Sequence, residues 1–239
     1  MYLTNFERND GFGAQYQNII FTCLYCGLTG KEFVYSPFKS MQHNYNKDPD
    51  FLKKKEDLIN LQTVFKSFNE VKNCPIATAE IYKYVENRLD ECLDSPYIRI
   101  LRDAISINKT NKKNKDYKNV AVHIRRRNIE DNTDPSSSQY YSDDEYFLNA
   151  IKEIRSRYDG EKIFHIYSQG KAESFNKFKN KDVILHLNEE LEESFCGMVF
   201  ADILVMSKSS LSYTAALMSD GIIYYQNFWH APSKKWLMF

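Results

Sequence analysis

The sequence predicts an α/β protein with two halves, the second of them built on a parallel β-sheet. From residue 119 onward, short apolar runs typical of strands alternate with helical patterns. This alternation indicates a parallel sheet with helices on its faces, because parallel strands require crossover connections. Residues 108–118 are almost entirely polar and separate the two halves. We therefore expect an N-terminal domain over residues 1–112 and a C-terminal domain over residues 113–239.

Local signals along the chain define the predicted elements. Asp48-Pro49 and Ser95-Pro96 mark helix starts, and Ser142 with Glu145 forms a capping-box pattern. The predicted helices cover residues 15–28, 49–60, 77–93, 96–105, 142–158, 171–178, 191–200 and 210–218. The predicted strands cover residues 32–35, 119–125, 162–168, 182–187, 203–206 and 221–225. The aromatic tail, residues 229–239, is expected to pack back onto a domain.

Charge and cysteine content count against several classes of protein. The 32 basic and 32 acidic residues cancel, whereas a general nucleic-acid binder usually carries a basic excess. Among the five cysteines, Cys23 and Cys26 form a CxxC inside an apolar helical pattern, so we expect buried structural thiols rather than a zinc site. No apolar run approaches the roughly 20 residues of a membrane span. With no secretory signal, we expect a cytoplasmic protein.

Two clusters suited to phosphate binding follow predicted strands, where open parallel sheets bind their ligands. Arg125 and Arg126 end the first strand of the C-terminal half, and a planar guanidinium matches a phosphate bidentately. Residues 207–212, which include Ser209 and Ser210, lie between another strand and a helix. The positive end of that helix suits an anion, although a serine there can also serve simply as a helix cap.

A short glycine loop and two histidines are weaker signals. Gly11 and Gly13 precede a helix without an obvious strand before them, so the loop is not a dinucleotide-binding fingerprint. His123 and His165 lie within strand patterns, where a histidine is more often a satisfied core residue than a catalytic group. The sequence contains neither the GxSxG pattern of hydrolases nor the HExxH pattern of metalloproteases.

Three segments, taken together, resemble the GDP-fucose-dependent fucosyltransferases, which include the α-1,2-, α-1,6- and protein O-fucosyltransferases. Residues 10–15 are similar to the family's N-terminal glycine loop, residues 122–128 to its HxRRxD segment, and residues 201–212 to its third motif. They occur in the family's order, and similarity outside them is slight. Asn128 stands where the family has the aspartate that closes HxRRxD, so the role of that carboxylate is in doubt here.

The resemblance implies a GT-B-like fold with two Rossmann-like halves that have parallel sheets. The N-terminal half, residues 1–112, is expected to be reduced and to form the acceptor side, and the C-terminal half, residues 113–239, to bind the nucleotide sugar. The resemblance also implies an inverting transfer from GDP-fucose to a glycan or glycoconjugate hydroxyl, without a catalytic metal or a cofactor other than the donor. Arg125 is expected to bind the donor β-phosphate, and Asp10 is expected to be the general base. The expected donor-binding residues are Gly11, Gly13, His123, Arg126, Glu193, Asp202, Ser209 and Ser210, with Glu193 assigned as the guanine-reading acid by position only.

Three alternatives stay open from the sequence alone. The general base is Asp10 or an acid of the later loop, which offers Glu130, Asp131 and Asp134. The donor is GDP-fucose or another nucleotide sugar, because a phosphate clamp is indifferent to the sugar. Outside the enzymes, the chain is a glycan-binding protein without catalysis, or a nucleic-acid-binding module that uses the basic residues between 108 and 127.

Overall fold

A computed structural model describes residues 1–105, 116–126 and 142–239 of the chain. The chain forms two compact units. Unit 1 comprises residues 1–109 with 231–233, and unit 2 comprises residues 110–230 with 234–239. The predicted boundary between residues 112 and 113 lies outside the described residues and stays a prediction.

Unit 1 is mainly helical, with a short parallel sheet. Its described elements are β1 (Tyr2–Thr4), α1 (Phe12–Thr29), β2 (Glu32–Val34), α2 (Phe51–Ile59), α3 (Glu80–Glu86), α4 (Leu89–Leu93) and α5 (Pro96–Ala104). Strands β1 and β2 pair in parallel as a two-stranded sheet. The helix predicted over residues 77–93 was wrong as a single element. It is divided at Arg88, whose φ of −124° and ψ of 26° leave the helical region.

Helix α1 runs through the core of unit 1. Thirteen of its 18 residues are buried, so it is apolar on nearly every side, as is expected of a central helix. Gly30 ends the helix in the left-handed conformation, with φ of 66°, and its N–H bonds to the carbonyl of Cys26. Cys23 and Cys26 are buried free thiols, and burial raises the pKa of Cys26 to about 12. Their geometry fits the structural role expected from the sequence.

Unit 2 alternates strands and helices. Its described elements are β3 (Lys118–Ile124), α6 (Asp144–Arg157), β4 (Lys162–Ser168), a 3₁₀ helix (Ala172–Phe178), β5 (Val183–Leu187), α7 (Leu191–Val199), β6 (Ile203–Val205), α8 (Ser210–Met218), β7 (Ile222–Tyr225) and β8 (Leu237–Met238). These six strands form one sheet in the order β5-β4-β3-β6-β7-β8, and every adjacent pair is parallel. The predicted α/β class is confirmed.

This strand order is that of the dinucleotide-binding Rossmann fold, in which the chain moves outward from the first strand and then returns to its other side. The first strand, β3, and the fourth, β6, are therefore neighbours in the middle of the sheet. The connection from β5 to β6 runs through α7, and the direction of winding reverses there. A crevice at the carboxyl ends of β3 and β6 is the expected ligand position of such a sheet.

Helices cover both faces of the sheet in unit 2. Val120, Val122 and Ile124 point to one face and pack in a core with Phe147 and Ile151 of α6. On the opposite face, His123 contacts α8 through Ser212. Alternation of side chains along β3 therefore assigns apolar residues to one helix layer and His123 to the other.

The cap predicted for α6 was wrong by one residue. Asp143, not Ser142, caps α6, because the Asp143 carboxylate accepts a hydrogen bond from the Glu145 N–H. The Ser142 hydroxyl instead donates to Gln226 Oε1 at 2.6 Å.

The tail does return to a domain, since β8 pairs with β7 in the sheet of unit 2. Among the described residues, no helix combines the length and apolar character that crossing a membrane requires.

Two isoleucines on adjacent strands differ in burial and test where the core of unit 2 lies. Ile166 on β4 is fully buried in the core, whereas Ile184 on β5 is 47% exposed. We expect Ile166→Ala to lower the free energy of unfolding by about 2–5 kcal/mol, because it leaves a cavity. Ile184→Ala, the matched control, should cost less than about 1 kcal/mol. Urea unfolding measures both, and equal losses would contradict this location of the core.

Candidate functional site

The central strands of unit 2 separate at their carboxyl ends. Strand β3 pairs with β4 as far as Ile124 and Ser168, but it pairs with β6 only as far as Val122 and Val205. Beyond Val122, the backbone groups of β3 on the β6 side have no strand partner. A buried peptide group needs another hydrogen-bond partner in this situation.

The Ser207 hydroxyl supplies that partner. Its oxygen accepts a hydrogen bond from the Arg125 N–H at 2.8 Å and donates to the His123 carbonyl at 2.8 Å. Ser207 is 1% exposed and follows β6 by two residues. One side chain thus replaces the strand pairing that stops at Val122, and it fixes the backbone of Arg125 relative to the end of β6.

A second serine holds the His123 side chain. Ser212 Oγ lies 2.9 Å from His123 Nδ1, and it also accepts a hydrogen bond from the Ser207 N–H at 3.3 Å. Burial, aided by the positive charge of Arg125, lowers the pKa of His123 to about 3. The imidazole is therefore neutral at neutral pH, which suits a hydrogen-bonding group better than a proton carrier.

The N-terminus of α8 opens at this same edge of the sheet. Ser209 is its N-cap, and its hydroxyl accepts a hydrogen bond from the Leu211 N–H at 3.2 Å. Ser210 begins the helix and is half-buried. The first-turn amides of a helix carry partial positive charge and lack intrahelical acceptors, so this end of α8 can receive an anion.

Two cations flank the N-terminus of α8. Neither Arg125 nor Lys208 forms a side-chain hydrogen bond or ion pair with any residue that the structure describes, and both are half-buried. Arg126 differs, because its guanidinium pairs with Asp144 and lies 5.6 Å from the centre of the Phe175 ring. Of these two arginines, Arg125 is therefore the one whose guanidinium is available for a phosphate at the position where the strand order reverses.

The sequence over residues 84–234, more than half of the chain, matches the family model described as glycosyl transferase family 11. The chain belongs to glycosyl transferase family 11. It is therefore a glycosyltransferase, and the resemblance to the fucosyltransferase superfamily that its motifs indicated is confirmed. No curated protein matches this glycosyltransferase significantly.

Solved structures of the fucosyltransferase NodZ are similar to this glycosyltransferase along most of its length. The NodZ α-1,6-fucosyltransferase soaked with GDP-fucose is 12% identical, with a TM-score of 0.44 over 93% of this chain and 94% of that one. NodZ from Bradyrhizobium is also 12% identical, with a TM-score of 0.46 over 91% and 93%. These TM-scores are too low to establish a shared fold, so the assignment rests on the family match.

Two residues expected in the donor site of the glycosyltransferase lie on segments other than the end of β3 and the start of α8. Glu193 is exposed in the first turn of α7, on the carboxyl side of β5. Asp202 lies at the opposite edge of the sheet, just before β6, where its carboxylate accepts a hydrogen bond from the Asn119 N–H at 2.9 Å. The structure therefore gives Asp202 a role in joining the starts of β3 and β6, and we exclude it from the donor site.

The glycine loop belongs to unit 1. Gly11 is the N-cap of α1, and a Cβ atom there would approach His43 Cδ2 to 2.8 Å, so a larger residue would require the exposed His43 ring to shift. Gly13 is buried within α1. Asp10 does not cap the helix; its carboxylate pairs with Arg8, and its carbonyl accepts a hydrogen bond from Gln15 Nε2 at 2.7 Å.

The later acids named as alternative bases, Glu130, Asp131 and Asp134, lie outside the described residues, as does Asn128. His165 is satisfied as expected from the sequence, with His186 at 2.9 Å and Asn119 at 3.1 Å. Within the described ranges, no three acidic, histidine or cysteine side chains are grouped so that they could hold a metal ion.

The sequence did not predict the residues that hold the ends of the strands and the His123 side chain in place. Ser207 and Ser212 were noted only as part of a serine-rich segment, and Lys208 was not considered. The available signal was position, because a hydroxyl directly after a buried strand is placed to satisfy backbone groups of the neighbouring strand.

The buried His123 should make stability depend on pH. Below its ordinary pKa of about 6.5, the unfolded chain binds a proton at His123, but the folded protein does so only near pH 3. The free energy of unfolding should therefore fall as pH drops from about 6.5 toward 3, by up to about 1.4 kcal/mol per pH unit. His123→Asn should reduce this slope in a pH series of urea unfolding curves, and His165, whose pKa burial also lowers, accounts for part of the remainder. An unchanged slope would contradict the buried neutral imidazole.

Proposed function

We propose that this family 11 glycosyltransferase transfers fucose from GDP-fucose to a hydroxyl of a glycan or glycoconjugate, with inversion and without a catalytic metal, on a GT-B-like scaffold. The observation that carries the proposal is the pairing of Arg125 with the N-terminus of α8. Both lie at the reversal of strand order, and the hydroxyl of Ser207, three residues before α8, accepts a hydrogen bond from the Arg125 N–H. Membership of the family supports the reaction class.

The chemistry of transfer matches this arrangement. As the acceptor oxygen approaches the anomeric carbon, the bond from that carbon to the diphosphate breaks, and the diphosphate leaves with the bonding electron pair. Arg125 and the α8 amides stabilise the negative charge that develops on it. Each such donor is worth roughly 3 kcal/mol of barrier, by analogy with removal of one oxyanion-hole donor. Attack opposite the leaving group inverts the anomeric centre.

His123 and the serines position this clamp. His123 is neutral, so its hydrogen bond with Ser212 adds no positive charge beside Arg125. Ser209 and Ser210 present a hydroxyl and first-turn amides to the diphosphate or the ribose. Lys208 adds a second cation at the same turn, and its flexible stem can follow the charge that moves onto the leaving group.

The guanine base is proposed to lie toward α7. This helix packs on α8 and against β3, and Glu193 in its first turn is the candidate carboxylate for the base. A carboxylate accepts hydrogen bonds from the adjacent N–H groups of guanine, which uracil and cytosine do not offer in the same pattern. The proposed donor thus extends from the β3–β6 crevice toward the α7 side of unit 2.

A thermal-shift screen tests the donor assignment. GDP and GDP-fucose at 100 times their dissociation constants should each stabilise the protein by about 2.7 kcal/mol, whereas UDP and CMP ligands should do less. The screen is run in EDTA, because Arg125, Lys208 and the α8 N-terminus replace the charge of a metal ion in this proposal. Stabilisation by UDP-sugars alone would indicate another donor, and dependence on added manganese would contradict the metal-free site.

The general base is proposed to be Asp10. Asp10→Asn should lower turnover by roughly 100- to 10,000-fold with the GDP affinity unchanged, because the amide cannot accept the acceptor proton. Arg8→Ala is the matched control, since it removes the ion pair of Asp10 without removing the carboxylate. Steady-state transfer and GDP calorimetry measure both variants.

Three outcomes would contradict a basic role for Asp10. Equal loss in Asp10→Asn and Arg8→Ala would indicate a purely structural ion pair. Normal turnover in Asp10→Asn, with an inactive Asp131→Asn or Glu130→Gln, would assign the base to the later segment. Activity in all these variants would indicate that the departing diphosphate accepts the proton.

A further inference from the structure

A loop of unit 2 leaves the sheet beside the proposed diphosphate site. It comprises residues 226–230, directly after β7, which is the neighbour of β6. Gln226 is buried, and its Nε2 donates to the Met206 carbonyl at 3.2 Å. Because Ser207 follows Met206, the loop starts next to the serine turn before α8. Trp229 is three residues farther on, so its Cα lies within about 11 Å of that of Gln226.

Trp229 packs at the edge of a cluster of aromatic side chains. The His230 ring stacks on Tyr213 of α8 with centroids 4.8 Å apart, and the Tyr225 hydroxyl donates to the His230 carbonyl. Phe228 packs edge-on against Trp229 at 4.8 Å. Trp229 is nevertheless 47% exposed as a residue, whereas Trp236, in the same aromatic cluster, is 7% exposed. Packing fixes the loop but leaves much of one large aromatic side chain open.

The direction of the proposed donor suggests which ligand the exposed Trp229 side chain contacts. The diphosphate lies between β3 and β6, and guanosine extends toward α7 on one side. Fucose then extends toward the β7 side, where the loop of residues 226–230 begins. The acceptor must meet the anomeric carbon on that side, because the nucleotide occupies the other. This inference rests on the proposed function, in particular on the position of guanine.

We propose that Trp229 is the stacking platform for a pyranose ring of the acceptor glycan. One face of a pyranose presents C–H bonds that carry partial positive charge, and the face of an indole carries partial negative charge. The flat ring therefore binds a sugar face and removes apolar surface of both partners from water. Stacking orients the acceptor hydroxyl without any charged contact, which is suited to a neutral substrate.

Three variants test this role. Trp229→Ala should weaken binding of the acceptor sugar about tenfold, which corresponds to a stacking energy near 1.4 kcal/mol. Trp229→Phe, which keeps an aromatic face, should recover most of the affinity. Trp236→Phe alters the buried tryptophan and should leave sugar binding within about twofold. Lactose and diacetylchitobiose serve as the acceptor sugars. Their binding is measured by saturation-transfer NMR in the presence of GDP.

Donor binding is measured in the same preparations. Calorimetry with GDP, and the KM for hydrolysis of GDP-fucose by water, should stay within about twofold of wild type in Trp229→Ala. A large loss of GDP affinity would assign the ring to guanine, and a raised KM for GDP-fucose alone would assign it to fucose. Either result overturns the proposal, as does sugar binding that persists in Trp229→Ala or is absent from wild type. Failure of wild type to bind GDP would instead overturn the proposed function.

Discussion

The candidate site depends on the two hydrogen bonds of one buried hydroxyl. Ser207 joins the Arg125 N–H and the His123 carbonyl at the point where β3 and β6 stop pairing. Parallel strands that separate leave backbone groups exposed to the crevice, and an unsatisfied buried group costs roughly 1–3 kcal/mol. The serine removes that cost, so the two strands can stop pairing here without destabilising the centre of the sheet.

Similar side-chain hydrogen bonds connect the carboxyl ends of the central strands of the sheet. The Ser168 hydroxyl at the end of β4 donates to the Ile124 carbonyl of β3 at 2.6 Å, and Gln226 after β7 donates to the Met206 carbonyl after β6. Together with Ser207, these groups connect the ends of the four strands β4, β3, β6 and β7. Such satisfied polar networks restrict the backbone to one arrangement. A leaving group is stabilised most by donors that are already in place, so this rigidity serves the proposed chemistry.

The sequence predicted the periodic elements of unit 2 and the strand-end position of Arg125 and Ser209, because both follow from local patterns. It could not predict the bridging role of Ser207, which requires β3 and β6 to be neighbours although Ser207 lies 82 positions after Arg125 in the sequence. Asp202 shows the same limit. It belongs to the same motif as Ser209, yet the three-residue strand between them sends it to the opposite edge. Strand β8, with two residues, is too short to carry a periodic signal.

The central claim is that Arg125 binds the diphosphate rather than the nucleoside. Calorimetry with GDP and with guanosine, on wild type, Arg125→Ala and the surface control Arg155→Ala, tests it most directly. Arg125→Ala should weaken GDP binding by about 10- to 150-fold, as expected for a hydrogen bond to a charged group worth 1.5–3 kcal/mol, and should leave guanosine binding within about twofold. Arg155→Ala should change neither. An equal loss for guanosine, or an unchanged affinity for GDP, would contradict the account.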